Sequence, residues 1–320
     1  MAGGVAITPA FRAHMADLQH ATACCMLSLL ALHGAGAWSW PRMLLELPET
    51  GLIPAWISLP WGPIPDWNLI KETQKCRMKM DADFAKVVRP CDADNAADPR
   101  CKLRILIVSA VSKDYTDKGN TLHGFHAAVK DINQKYCQRW KFCDVQIFSD
   151  KAWDPKWKSH ERHSAWQKVL ALHKAVSTGA YDWYMWLDGD AAIIDQSFDL
   201  RFLPSMATPD SLFIVSKDIW NTPGAGNSNL GACLIKNGEA SLKFLEEWWR
   251  VPDEVKDSES RKMGHPWEQY AFNTVMYVRH EKKIHRFAEC FLFGHPLSLI
   301  DKPFIGHMCG AGPNQWKASE

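Results

Sequence analysis

"YDWYMWLDGDAAIID", Tyr181 to Asp195, is the stretch on which the fold turns. Its first seven residues, Tyr181–Leu187, are aromatic and apolar apart from Asp182 and read as a buried strand. The run stops at two carboxylates one residue apart, Asp188 and Asp190, then turns apolar again at Ala191 and Ala192. Two acids at the end of a core strand can be a metal site, a phosphatase nucleophile, a calcium loop or a solvated turn. An EF-hand loop counted from Asp188 needs Gly at its sixth position and Glu at its twelfth, but the chain has Ile193 and Asp199 there. A haloacid-dehalogenase-type phosphatase usually carries Asp-x-Asp on the first strand of its domain. Here the pair follows the third.

That count comes from the residues upstream. "RILIVSAV" (Arg104–Val111) is a continuous β-branched run, as expected of a strand buried on both faces. "TLHGFHAAVKDINQKYC" reads as a helix and "DVQIFSD" (Asp144–Asp150) as a second strand. "SAWQKVLALHKAVSTG" is a helix with Trp166, Val169, Leu170 and His173 on one stripe, ended by Gly179. His173 there reads as a satisfied core histidine. Alternating strands and helices predict a parallel sheet with right-handed crossovers. Downstream, "SLFIVSKD" and "ACLIKN" read as strands, and "EASLKFLEEWWR" and "PWEQYAFNTVMYVRH" as helices. The expected fold is α/β, one domain over residues 102–320, with a central, mostly parallel sheet flanked by helices. In such open sheets ligands bind at the carboxyl ends of the strands, where Asp188 and Asp190 fall. Paired carboxylates suit Mg²⁺ or Mn²⁺, which would neutralise a leaving diphosphate.

Composition narrows the field. The chain has 320 residues, 47% of them apolar, so a sizeable core forms and wholesale disorder is excluded. The formal net charge is +1 with no long basic cluster, which argues against a nucleic-acid partner. Most of the 16 Trp belong to the core, although Trp also suits sugar faces and wet clefts. Ten dispersed Cys without a CxxC pair exclude zinc-ribbon spacing and fit an oxidising compartment. Ala21–Trp38, uncharged and ending in "GAGA", predicts a signal or signal-anchor segment over residues 1–40. Proline- and tryptophan-rich residues 41–101 read as a stem or lead-in.

Three companions accompany the acidic pair. "DIWNTPGAGNSNLGACLIKN", from Asp218, is a Gly/Asn-rich loop entering a strand, suited to close approach of a ligand and to binding hydroxyls. "HPWEQYAFN" places Glu268 and Gln269 at the start of a helix, and "FIGHMCGAG" sets His307 between Gly306 and Gly310. Taken jointly, "W-x-K" (Trp166, Lys168), "YDWYMWLDGDAAI", "NSNLGACLIKNGEASLKFLEEWW", "EQYAFN" and "HMCG" resemble the Golgi-type galactosyl-, mannosyl- and xylosyltransferases of glycosyltransferase family 34, over roughly residues 104 to 312.

The resemblance implies a GT-A fold, a nucleotide-sugar donor, a glycan or glycoconjugate acceptor, Mn²⁺ with Mg²⁺ as the alternative, and transfer with retention of configuration. By position, Asp188 and Asp190 match the family's DxD metal motif and His307 its closing histidine, here followed by Met, Cys and Gly. Asn229 and Gly231 match its Asn-x-Gly loop, with Leu230 where a small residue is common. Glu268 and Gln269 match its Glu-Gln pair. The implied metal ligands are Asp188, Asp190 and His307. Asp188, Asp190, Glu268 and Gln269 are the catalytic candidates. Ser109 (in "SAVSKDYTD"), Lys168, Asp218, Asn229 and Gly231 are the substrate-binding candidates. The implied location is the Golgi or another secretory lumen, as a type II membrane protein, or secreted if the N-terminal segment is cleaved. The alternatives are a carbohydrate- or nucleotide-binding protein of the same fold without turnover, and a metal-dependent phosphohydrolase.

Overall fold

The first long strand, β1 (Ile105–Val111), is apolar on both sides because helices cover both faces of the sheet it belongs to. Leu106 and Val108 pack into one core, while Ile105 and Ile107 pack into the other. The same alternation divides β3 (Trp183–Leu187): Tyr184 and Trp186 go to the first core, and Trp183, Met185 and Leu187 to the second. A period of two with no polar face is what turns these strands into unbroken apolar runs.

The computed structural model describes residues 91, 97–111, 125–149, 155–157, 161–218, 226–254, 267–287, 293–294 and 304–307. All lie in the second of the two units into which the chain divides, Ser58–Glu320. The segment Ala21–Trp38, most of residues 41–101, the greater part of the loop after β1, and Cys24, Cys25, Cys76, Cys290 and Cys309 lie outside the described residues. Among the described residues no helix is long and apolar enough to cross a membrane.

β1 continues through α1 (Phe125–Trp140) to β2 (Cys143–Ser149), then through α2 (Gln167–Val176) to β3. β2 and β3 pair with β1 in parallel on opposite edges, so the strand order reverses at β1. The remaining strands are β5 (Phe213–Lys217), β6 (Ser228–Lys236) and β7 (Ile284–Phe287), and the order is β2-β1-β3-β6-β5-β7. β6 is antiparallel to both neighbours and β7 is parallel to β5, so five strands share one direction and β6 opposes them. The mostly parallel sheet is as expected, and β6 is its reversed strand. A strand buried on both faces has the same apolar pattern in either direction, so its polarity is invisible in the sequence.

A second, three-stranded sheet was not expected. It joins β4 (Ala191–Ile193), β9 (Ile305–His307) and β8 (Phe293–Gly294) in the order β4-β9-β8. α2 and α4 (Glu239–Glu254) cover the first face of the large sheet, while α1 and α3 (Phe202–Met206) pack toward the second. α2 ends as expected, with Gly179 at φ +63° and its amide donating to the Val176 carbonyl. The "WEQYAFNTVMYVRH" helix is less regular than expected. α5 (Trp267–Ala271) passes into a π-helical stretch, Phe272–Met276, before α6 (Tyr277–His280). Two disulfides, Cys91–Cys101 and Cys137–Cys143, lie among the described residues, and Cys233 on β6 is a buried free thiol.

Candidate metal centre

Asp188 is the first residue after β3. Its amide donates to the Gly231 carbonyl (2.8 Å), and its own carbonyl accepts from the Ala191 amide (2.9 Å), closing a tight turn that carries Asp190 and returns the chain as β4. β4 pairs antiparallel with β9 so that Ala191 faces His307. Strand pairing therefore delivers the imidazole to the acidic turn. His307 Nε2 lies 3.6 Å from Asp188 Oδ2 and 3.4 Å from Asp190 Oδ1. One donor atom from each of the three residues falls within 4.8 Å of the others.

The set fits a divalent cation. Two carboxylate oxygens and one imidazole nitrogen suit Mn²⁺ and neighbouring transition metals better than Ca²⁺, which prefers oxygen throughout. The backbone makes room for the ring. A Cβ added at Gly231 would stand 2.1 Å from His307 Cε1 and 2.5 Å from Nδ1, so any larger residue would expel the imidazole. The register between β5 and β6 shifts between Val215 and Ser216, which interposes Leu230–Ala232 and brings Gly231 against the end of β3. Such irregularities re-aim a strand beside a functional site.

Beneath the turn is a buried ionic cluster. Lys168, near the start of α2, is 2% exposed, and its Nζ lies 2.7 Å from Glu268 Oε1 and 3.2 Å from Asp188 Oδ1. The Trp186 indole also donates to Asp188 Oδ1. Burial alone would raise the Asp188 pKa, but the Lys168 ammonium, then His307 and Trp186, outweigh it and hold the carboxyl well below the usual range. Burial would likewise lower Lys168, but Asp188 and Glu268 hold it above its ordinary value. Burial pushes Glu268 up against the opposing pull of Lys168, and pushes the neighbouring Cys233 thiol up as well.

Asp218 and Asn229, from the two sides of the Gly/Asn-rich stretch, meet the Glu-Gln pair one step away; residues 219–225 of that stretch lie outside the described residues. Gln269 Oε1 accepts from the Leu230 amide (3.0 Å), and its Nε2 donates to Asp218 Oδ2 (3.3 Å). Asn229 Nδ2 donates to Asp218 Oδ1 (3.4 Å), while Asn229 Oδ1 accepts from the Gly231 amide (2.9 Å). Asp218, Asn229, Gly231 and Gln269 thus form one hydrogen-bonded chain that pins the irregular part of β6. Ser109 stands apart, near the carboxyl end of β1, 6% exposed, its hydroxyl without a hydrogen bond among the described residues.

Two residues of this centre were not singled out in the sequence. Trp186 fixes one oxygen of Asp188. Asn273, in the π-helical stretch, clamps Ser228 at two points, its Oδ1 accepting from the amide (2.8 Å) and its Nδ2 donating to the carbonyl (3.0 Å). The Asn closing "EQYAFN" was the available signal for Asn273. Nothing in a run of aromatic residues marks one Trp as the donor.

No protein-family model matches the chain. Among curated proteins it is similar to the "Probable alpha-1,6-mannosyltransferase MNN10" of Saccharomyces cerevisiae, 30% identical over 112 residues, covering 28% of this chain and 28% of the relative. The chain therefore spans well under a third of that relative's length. Similar solved structures include a glycosyltransferase involved in glycosylation of the major capsid of PBCV-1, at 15% identity and TM-score 0.49, covering 66% of this chain and 96% of that one. Mouse xyloside xylosyltransferase 1 is another, at 12% identity and TM-score 0.41, covering 64% and 97%.

Proposed function

We propose that the chain is a metal-dependent glycosyltransferase of GT-A type. In this reading it moves a hexose or pentose from a nucleotide-diphosphate sugar to a hydroxyl of a glycan or glycoconjugate, with retention of configuration. The observation that carries the proposal is the convergence of Asp188, Asp190 and His307 at the carboxyl end of β3, with Gly231 leaving room for the imidazole. The segmental identity to a named mannosyltransferase supports the choice of sugar transfer and makes a nucleotide-mannose the first donor to try. Family 34, suggested by the sequence motifs, remains the proposed family.

A cation at this site, Mn²⁺ or Mg²⁺, would supply charge stabilisation for a departing diphosphate. The chain's own residues divide the remaining work. Asp188, Asp190 and His307 would hold the ion. Asp218, Asn229 and Gln269 would shape the loop against which the donor lies, and Ser109, near the strand reversal at β1, would contact the nucleotide. Lys168 and Glu268, being buried, would act on Asp188 rather than on the sugar. The apolar Ala21–Trp38 segment and the two disulfides support residence in an oxidising secretory lumen such as the Golgi, with residues 1–40 as anchor or cleaved signal and 102–320 as the transferase domain.

The test is a panel of nucleotide sugars with Mn²⁺, scored for transfer and for donor hydrolysis. Asp190→Asn in a folded protein is expected to lose about a hundredfold or more in rate. His307→Ala is expected to raise the Mn²⁺ concentration at half-maximal activity and to flatten the preference for Mn²⁺ over Mg²⁺. Unchanged turnover in Asp190→Asn would remove the metal assignment. Turnover of simple phosphate monoesters but not of nucleotide sugars would replace the transferase with a phosphatase.

A further inference from the structure

The buried Lys168–Glu268 pair raises an electrostatic difficulty. An ammonium that touches one cation ligand should repel the cation, yet Lys168 Nζ is 3.2 Å from Asp188 Oδ1. The two oxygens of Asp188 are used differently. Oδ1 takes both Lys168 and the Trp186 indole, and Oδ2 is the oxygen turned toward His307. Lys168 and Trp186 thereby lock the carboxylate so that a single oxygen is presented with Asp190 and His307.

Glu268 balances the charge. Its Oε1 is 2.7 Å from Lys168 Nζ, and it is 4% exposed. Asp188, Asp190 and Glu268 against Lys168 leave a net charge of −2, which matches a divalent cation; without Glu268 the corner would carry −1, with the buried ammonium resting on Asp188 alone. The pair is also costly. Glu268 Oε2 has no hydrogen-bond partner among the described residues, and buried ion pairs are often replaced by apolar groups with no loss of stability. A pair kept for folding alone would be a poor solution here.

We propose that Glu268 is a positioning residue for the cation site. It supplies the counter-charge that lets Lys168 hold Asp188 Oδ1 without opposing a dication at Asp188 Oδ2, Asp190 and His307. This rests on the metal-dependent reading above.

The experiment is a titration of the purified full chain with Mn²⁺ alone, free ion followed by electron paramagnetic resonance, with thermal melts to confirm folding. Wild type is expected to bind and Asp188→Asn to bind poorly; absence of binding by wild type overturns the metal reading itself, and this inference with it. Glu268→Gln is expected to weaken Mn²⁺ by about tenfold or more, since an unbalanced buried charge beside a cation ligand is little screened by water. Lys168→Met combined with Glu268→Gln restores the net charge and is expected to regain most of that loss. Wild-type affinity in Glu268→Gln, or a double variant no better than the single, overturns the inference while leaving the metal site standing. Should Glu268→Gln fail to fold, the double variant, which buries no charge at either position, decides. Affinity within about threefold of wild type supports the charge-balance role, and a loss of about tenfold overturns it.

Discussion

Two ionic clusters in this molecule use similar contact lengths to different ends. Beneath the acidic turn, Lys168 meets Glu268 at 2.7 Å and Asp188 at 3.2 Å, with Lys168 and Glu268 almost fully buried. Across α4 and α6, Glu247 meets Arg279 at 2.9 Å and His280 at 2.8 Å, and Arg279 reaches Glu254 at 3.3 Å, with the Arg279 side chain 46% exposed. Coulomb's law at these separations would treat the two alike; the surroundings do not. Around Arg279 water screens the charges and offers each group another partner. Around Lys168 each charge depends on its neighbours, so the loss of one strands the others. The buried cluster fixes where an oxygen points, while the exposed one only adds to helix packing.

That contrast can be broken by substitution. The largest effect is expected from Lys168→Met, which leaves Glu268 and Asp188 without their counter-ion and should cost about 3 kcal/mol in urea unfolding. A loss below about 1 kcal/mol would mean that the buried cluster behaves like the exposed one. Gly231→Ala should follow. Its methyl would overlap the His307 ring, so about 2 kcal/mol of stability and most Mn²⁺ binding should go together. Retained Mn²⁺ binding would show that the ring has another seat. The smallest effect is expected from Arg279→Ala, less than about 1 kcal/mol.

The surface cluster also has a pH signature. Although burial acts to raise it, Arg279 and His280 hold the Glu247 pKa below its ordinary 4.5. A carboxylate depressed in the folded state adds stability above its unfolded pKa, and that contribution fades as pH falls through the folded value. Wild type should therefore lose a small increment below about pH 4.5, of which Arg279→Ala has already lost the share due to Arg279. Identical acid profiles would remove this assignment.

The six-stranded sheet was largely legible. Burial on both faces writes β1, β3 and β5 as short apolar runs, and the breaks between them carry the turn residues. The position of Asp188 and Asp190 followed from the end of one such run. The reversal of β6 was not legible, because side-chain pattern has no direction. Nor were β4, β8 and β9, since three residues or fewer show no period. The Glu-Gln pair and the Asn-x-Gly loop were found as motifs, but the contacts they make were not legible. Glu268 lies under Lys168, and Gln269 holds the backbone at Leu230 and the carboxylate of Asp218.

By itself the sequence determined which segments must be buried and where polar residues interrupt them, because the cost of exposing apolar surface is paid locally, residue by residue. It thereby set the acidic pair at a strand end. Only the tertiary structure decided which distant groups meet that pair. His307 arrives through the β4–β9 pairing, Lys168 through the packing of α2, and Glu268 through the start of α5. Their attraction to the site depends on distance and on the exclusion of water, and neither quantity exists along the chain before it folds.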